Sequence, residues 1–514
     1  MEGRNKLLFN TALLTAAALV MRCIGMAWQI WLVSKIGSAG IGLFTLVLSV
    51  GALAATVAIS GIRFTSTRLI SEELGVGNTG GVAASVTRCC AYALFFGISA
   101  MLILFLTAER IGFLWIGDAR TVLSLKIFSF SLPFTSLGAV IAGYFTSTGR
   151  VYKSAAVQFA EQLTLVALTA LMLGRTVSGD LEKNCAAIVA ASTLAQMLSF
   201  VLLYALYLGD RQQYIHGRRG PHLTRRMLHI AMPLAFSAYA RTSLSTLQQM
   251  LVPRGLRRAG FSADRAMSDY GIIQGMAFPV VSFPACFLLA LSELLVPELT
   301  EAQVAGREAY IARTTSRLME RCLIFSLGIA AILFTFSHEL GLVIFSSASA
   351  GYYIRLFALL SPVMYMDMVT DGCLKGLGMM MYSMVVNILD SVGCVLLVLI
   401  LLPKYGLHGY ILMIFISELF NFVLSILRLH SRVHLRLEIG RILLALFCAV
   451  GAAQSVHFYL IQGHFSPTLF RLCLALLYAS AGYILLLWLS GCLHISVPFI
   501  PSLDRGRHGF DGQK

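Results

Sequence analysis

Charge is scarce in this chain. Asp, Glu, Lys and Arg make up only 12% of its 514 residues, about half the share usual in soluble domains. Hydrophobic residues reach 58%, and the mean hydropathy is +0.81. That excludes a soluble globular protein, because no soluble core could hide so much apolar surface. Regular alternation of apolar and polar residues is also missing, which excludes a membrane β-barrel. There is no Walker A pattern and no catalytic constellation, so the chain reads as neither an ATPase nor an enzyme. The 11 cysteines lie mostly in apolar runs without framework spacing. There Cys acts as a small hydrophobe, so no disulfide, metal site or other cofactor is expected. The first apolar stretch, Leu7 to Val33, is longer than a signal core of roughly 7–15 residues, so no cleavable signal is expected.

What is present is a succession of apolar runs, each long enough to cross a bilayer. They cover 7–33, 41–69, 87–107, 121–148, 152–174, 185–208, 227–252, 271–296, 318–337, 351–378, 380–402, 407–428, 441–461 and 468–490. The reading is an all-α polytopic membrane protein with about fourteen transmembrane helices. Turns such as Gly37-Ser38-Ala39-Gly40 and Pro403-Lys404-Tyr405-Gly406 separate neighbouring runs.

An internal repeat organises these spans. Pro133 to Glu161 runs without a gap against Pro362 to Asp390. Pro133 matches Pro362, Val140 matches Val369, Gly143 matches Gly372, Gly149 matches Gly378, Ser154 matches Ser383 and Val157 matches Val386. Gln158 is answered by Asn387 and Glu161 by Asp390. Proline, glycine and carboxylates are costly inside apolar helices, so their coincidence points to an ancient duplication. The copies are an even number of spans apart and therefore cross in the same direction. That predicts two six-helix lobes in a parallel pseudo-two-fold repeat, a path between them, and two extra C-terminal helices. The expected units are an N-terminal lobe (1–208), a cytoplasmic linker (209–226), a C-terminal lobe (227–428), an extra helix pair (429–490) and a cytoplasmic tail (491–514).

With both termini in the cytoplasm, most of the 39 Lys and Arg residues fall on cytoplasmic segments, as the positive-inside rule requires. One outer loop runs against it, with Arg254, Arg257, Arg258 and Arg265. The net charge of +15 fits orientation and anionic lipid, not nucleic acid.

A few charges lie within spans. Arg22, Arg63 and Arg241 each cost at least ~2.5 kcal/mol in mid-bilayer, so each should face a wet cavity or a partner. The alternatives are ion pairs locking two helices or, for Arg63, snorkelling. Lys126 sits close enough to an interface to snorkel. Guanidinium groups suit phosphate oxygens, so these cations favour an anionic headgroup. The buried acids are Glu161, Asp367, Asp371, Asp390 and Glu418. Asn387 and Asp390 share a helical face, as do Asp367 and Asp371. Asn387, Asp390, Glu161 and Asp371 are therefore candidates for coupling to Na+ or H+. Alternatively, Asp390 pairs with a nearby arginine or serves packing. Gly75-Val76-Gly77-Asn78-Thr79-Gly80 matches G-x-G-x-x-G without a preceding strand, so it is not read as a nucleotide site. His430 and His434 sit among arginines and read as a solvated basic face.

Several stretches resemble the multidrug/oligosaccharidyl-lipid/polysaccharide exporter superfamily, and within it the sporulation and lipid II flippase branch. These are Asn10 to Gly42 with Met21-Arg22-Cys23-Ile24-Gly25-Met26, Ser60-Gly61-Ile62-Arg63, and Thr67 to Glu73. Ser131-Leu132-Pro133-Phe134, Tyr270 to Met276, Phe283-Pro284 and Leu294 to Leu299 continue it. The resemblance implies two lobes that alternate in access and a first-lobe arginine, Arg22, that binds a lipid pyrophosphate. It also implies an ion site on the eleventh span and a lipid-tail groove at the last two spans. It would place a second arginine six positions after Arg22, where Trp28 stands, and another near Tyr270, where there is none. The implied activity is export of an undecaprenyl-pyrophosphate-linked glycan, a peptidoglycan precursor for spore cortex or cell wall, across the bacterial cytoplasmic membrane. The implied partners are that anionic glycolipid, the bilayer and cell-wall synthesis enzymes. Two other readings are an ion-coupled multidrug cation antiporter and a non-transporting scaffold.

Overall fold

A computed structural model describes residues 2–76, 78–174, 180–211, 223–435, 438–460 and 468–492. Most of the expected linker 209–226 and tail 491–514 lies outside these residues. The helices in chain order are α1 (Glu2–Ile59), α2 (Ile62–Gly75), α3 (Thr79–Arg110), α4 (Val122–Ser129), α5 (Leu132–Ser147), α6 (Val151–Leu173), α7 (Leu181–Arg211), α8 (Leu223–Arg258) and α9 (Ala263–Gly271). They continue as α10 (Phe278–Ser282), α11 (Ala285–Val304), α12 (Glu308–Thr335), α13 (Ser337–Phe345), α14 (Ala348–Ala358), α15 (Ser361–Gly376), α16 (Met380–Val433), α17 (Ile439–Leu460) and α18 (Leu469–Leu489). No strand occurs among the described residues.

Among the described residues, eight helices are long and apolar enough to cross a membrane, or up to nine if α4 and α5, bent by 46°, form one span. Two long helices are themselves broken. α1 breaks at Gly37 (φ 70°) and α16 at Gly406 (φ 55°), within the two turns expected from the sequence. Both glycines adopt left-handed φ, which a Cβ would oppose. Each of the fourteen expected spans falls on a helix, a helix segment or a run of helices.

The repeat is visible in side-chain packing. Pro133 and Pro362 both open a helix, α5 and α15, in the first turn, where the missing N–H costs nothing. Gly143 sits where a Cβ would lie 2.0 Å from Ser66 Oγ, and Gly372 where one would lie 1.7 Å from Ser292 Oγ. Each glycine thus lets a serine-bearing helix approach its backbone. Gly149 and Gly378 both take φ +71° in the turn before the next helix. The same residues at the same places reproduce the same contacts, as a duplication requires.

Three large apolar clusters follow. One joins Ile62, Tyr92, Val140, Phe145 and Leu203 with the start of α8. A second joins Leu299, Met319, Tyr365, Val369 and Leu429 in the second half. The third combines both halves, from Leu32 and Val47 to Tyr270, Phe357 and Met413. The halves approach most closely where α1 crosses α9. A Cβ on Gly42 would lie 2.3 Å from the Met267 carbonyl, and one on Gly271 2.0 Å from the Ser38 carbonyl. Ser38 and Ser268 share a hydrogen bond of 2.6 Å there. At the same end, Arg257 donates to the carbonyls of Gly117 (2.9 Å) and Ile116 (3.2 Å), and Arg120 bridges Asp118 (2.8 Å) and Asp264 (3.0 Å). Arg257 and Arg265 belong to the loop that ran against the positive-inside bias. Arg257 is held there by backbone carbonyls. Elsewhere, Arg226 at the start of α8 pairs with Glu72 and, at 2.9 Å, with Glu73 on α2.

Candidate functional site

Two polar cavities lie inside the helix bundle, one in each half. The first encloses about 500 Å³ among α1, α2, α5, α6 and α7. α6 supplies Gln158, Glu161 and Gln162. These positions are spaced i, i+3, i+4, so one face of an otherwise apolar helix is polar. α7 adds Ser192, Gln196 and Ser199, and α2 adds Arg63. Thr135 donates to the Gln196 side-chain oxygen at 2.9 Å, and the Gln196 amide donates to Ser192 at 3.3 Å.

The second cavity encloses about 340 Å³ and is lined by Arg22 from α1 together with Tyr365, Asp367, Asp371, Asn387, Glu418, Asn421 and Ser425. Asn387 donates to the Ser383 carbonyl at 2.8 Å. Asp390, one turn on, accepts from Ser417 at 2.8 Å. Asp371 pairs with Lys375 at 2.5 Å on its own helix. Asp367 and Ser425 both line the cavity, and the Asp367 Oδ1 is buried with no hydrogen-bond partner. Glu418 lines the same cavity.

The sequence-predicted residues therefore separate. Arg63 and Glu161 share the first cavity, while Arg22, Asp371 and Asn387 line the second. Arg22, Arg63 and Arg241 are all exposed and make no ion pair among the described residues. Asp390 bonds a serine and a cysteine and does not pair with Arg241. Lys126 does take a partner, Glu109 at 2.7 Å. Asp367 and Glu418 join the second cavity more closely than their sequence spacing suggested. Gln162, Gln196, Asn421 and Ser425 carried no separate signal, because a lone amide or hydroxyl in an apolar run is ordinary. The exception is Gln158, whose match to Asn387 across the repeat marked it. The G-x-G-x-x-G segment is a helix start: Asn78 accepts from the Gly81 N–H at 3.2 Å and donates to Glu73 at 2.8 Å.

A third cavity of about 600 Å³ lies between α12 and α18. Ile324, Phe325, Ile332, Ile484 and Leu487 line it, with Arg317, Arg321 and Arg441 among its residues. The extra helices thus help to form an apolar groove with charged side chains, where Arg441 pairs with Glu320 at 3.7 Å.

Comparison with known proteins places this architecture. Residues 7–286 match the family model described as "Polysaccharide biosynthesis protein". Stage V sporulation protein B of Bacillus subtilis (strain 168) is 23% identical over 421 residues, covering 79% of this chain and 80% of that protein. Sporulation protein YkvU of the same organism is 21% identical over 382 residues, covering 73% of this chain and 83% of that protein. Among solved structures, lipid II flippase MurJ in an inward closed conformation superposes with a TM-score of 0.72 at 11% identity, covering 93% of this chain and 98% of that one. An inward-facing multidrug resistance MATE family transporter of the MOP superfamily superposes with a TM-score of 0.62 at 14% identity, covering 80% and 94%. The chain is a multi-pass membrane protein with this fold, and it belongs to the polysaccharide biosynthesis protein family.

Proposed function

We propose that the chain is an alternating-access flippase for an undecaprenyl-pyrophosphate-linked glycan, a peptidoglycan precursor such as lipid II used in spore cortex or cell-wall synthesis. One observation carries this reading. Arg22 is an unpaired guanidinium in mid-span, and it lines a cavity whose other walls come from the second half of the chain. Such a cation is costly unless it meets an anion, and its planar fork suits a phosphate. Arg241 is its expected companion on the headgroup, and Arg63, which lines the other cavity, is the weaker candidate.

In this reading residues 1–208 and 227–428 are the two rocking lobes, joined by 209–226 and followed by the pair within 429–490 and the tail 491–514. Both termini lie in the cytoplasm and the membrane is the bacterial cytoplasmic one. The groove beside α12 and α18 holds the polyprenyl tail. Asn387 and Asp390, with Asp367 and Glu418, hold a coupling Na+ or H+. Glu161 lies in the other cavity, and Asp371 is already neutralised by Lys375, so both are weaker coupling candidates.

Vesicles reconstituted with the protein and a defined fluorescent lipid-linked donor test the reading. Headgroup translocation that needs Arg22 supports it; translocation indifferent to Arg22 overturns the role assigned to that residue. An ion-coupled multidrug cation antiporter is the second reading. Glu161 favours it by placing a carboxylate in the first-half cavity. Arg63 in the same cavity opposes it. Ion-driven efflux of a cationic dye would reverse the order.

A further inference from the structure

The first-half cavity is poorly suited to the pyrophosphate. It holds one guanidinium, Arg63, and one carboxylate, Glu161, so its charges offset. The rest of its polar wall is carboxamide and hydroxyl. Gln158 and Gln162 make no side-chain hydrogen bond among the described residues, and Gln196, held by Thr135 and Ser192, lines the cavity beside them. Unpaired amides inside an apolar bundle are unfavourable without a polar ligand or water. A carboxamide both donates and accepts, as a sugar hydroxyl or acetamido group does.

Two further features fit. Phe134 and Phe200 both line the cavity, with ring centroids 5.8 Å apart, and present flat apolar faces of the kind that pack against the C–H face of a pyranose. The volume of about 500 Å³ lies within the roughly 300–1,000 Å³ of small-molecule sites. The position matters as well. Met21 lines the first cavity and Arg22, the next residue on α1, lines the second. α1 is therefore the wall between them.

We propose that the first-half cavity is a saccharide site, which seats the uncharged, hydroxyl- and acetamido-bearing rings of the glycan while its pyrophosphate is held at Arg22. This rests on the flippase reading for its biological substrate, but the site itself can be tested without transport. The repeat gives the contrast. The equivalent pair in the second half, Asn387 and Asp390, stands beside an excess of carboxylates, which suits a cation instead.

The full-length protein in lipid nanodiscs, probed by saturation-transfer NMR with di-N-acetylchitobiose, tests it. The wild type should transfer saturation to the ring and acetyl protons. Gln158→Leu/Gln196→Leu should weaken binding about twenty-five-fold, the loss expected for two neutral hydrogen bonds. If the double variant does not fold, Gln162→Ala is read in its place and should weaken binding by roughly fivefold. Absence of transfer to the wild type overturns the proposal, and so does equal transfer to the folded Gln variants. Binding of tetraphenylphosphonium instead, lost in Glu161→Gln, also overturns it and favours the antiporter. Saccharide binding alongside failed flipping would sink the flippase reading and leave the saccharide site standing.

Discussion

Ser417 donates a hydrogen bond of 2.8 Å to the carboxylate of Asp390. Its counterpart in the first half, Glu161, lines a cavity together with Ser199. Both halves thus place a carboxylate on their fifth helix and a serine on their sixth. The neighbours have diverged. Around Glu161 stand amides and a guanidinium; around Asp390 stand Asp367 and Glu418.

Asp390 should therefore be needed for ion coupling and Glu161 should not. Asp390→Asn is expected to abolish the dependence of transport on a Na+ or H+ gradient, measured in vesicles with each gradient imposed in turn. Glu161→Gln should keep that dependence. Ser417→Ala, which removes one hydrogen bond to a charged group, should weaken apparent ion affinity about tenfold.

Arg22→Ala should reduce headgroup translocation at least tenfold, since each hydrogen bond to a charged group contributes about 1.5–3 kcal/mol. Arg22→Lys keeps the charge and loses the fork, so partial activity is expected. The check is quenching of a fluorescent lipid-linked donor across the vesicle wall.

The crossing of α1 and α9 must separate if access alternates. A Ser38→Cys/Ser268→Cys pair replaces two hydroxyls 2.6 Å apart, close enough for a disulfide to form. Oxidation should stop transport and reduction should restore it. Transport that continues with the cross-link complete would show that this end does not move.

Gly143→Ala and Gly372→Ala should behave alike, because each new methyl meets a serine hydroxyl, Ser66 or Ser292. Each is expected to cost about 1–3 kcal/mol, read as a lower melting temperature in detergent. Ser66→Gly should restore Gly143→Ala and do nothing for Gly372→Ala, the specificity that a double-mutant cycle detects.

Much of this was legible in the sequence. Hydrophobic runs show themselves directly, because each span must satisfy the same bilayer thickness whatever its neighbours are. The breaks at Gly37 and Gly406 were legible for the same local reason: a turn needs its own residue types. The repeat was legible because Pro133, Gly143, Gly149 and their partners each answer a backbone constraint.

Tertiary structure alone decided who meets whom. Arg22 and Arg63 looked like companions, yet α1 divides the space between them and they line different cavities. Asp367 and Glu418 are distant in sequence and meet only because α15 and the second segment of α16 pack together. A nearby arginine looked like a partner for Asp390, but Ser417 holds that carboxylate. Composition and periodicity determine that helices form and which are apolar. Which polar faces share a cavity depends on how the helices cross, and close approaches such as Gly42 on Gly271 set those crossings.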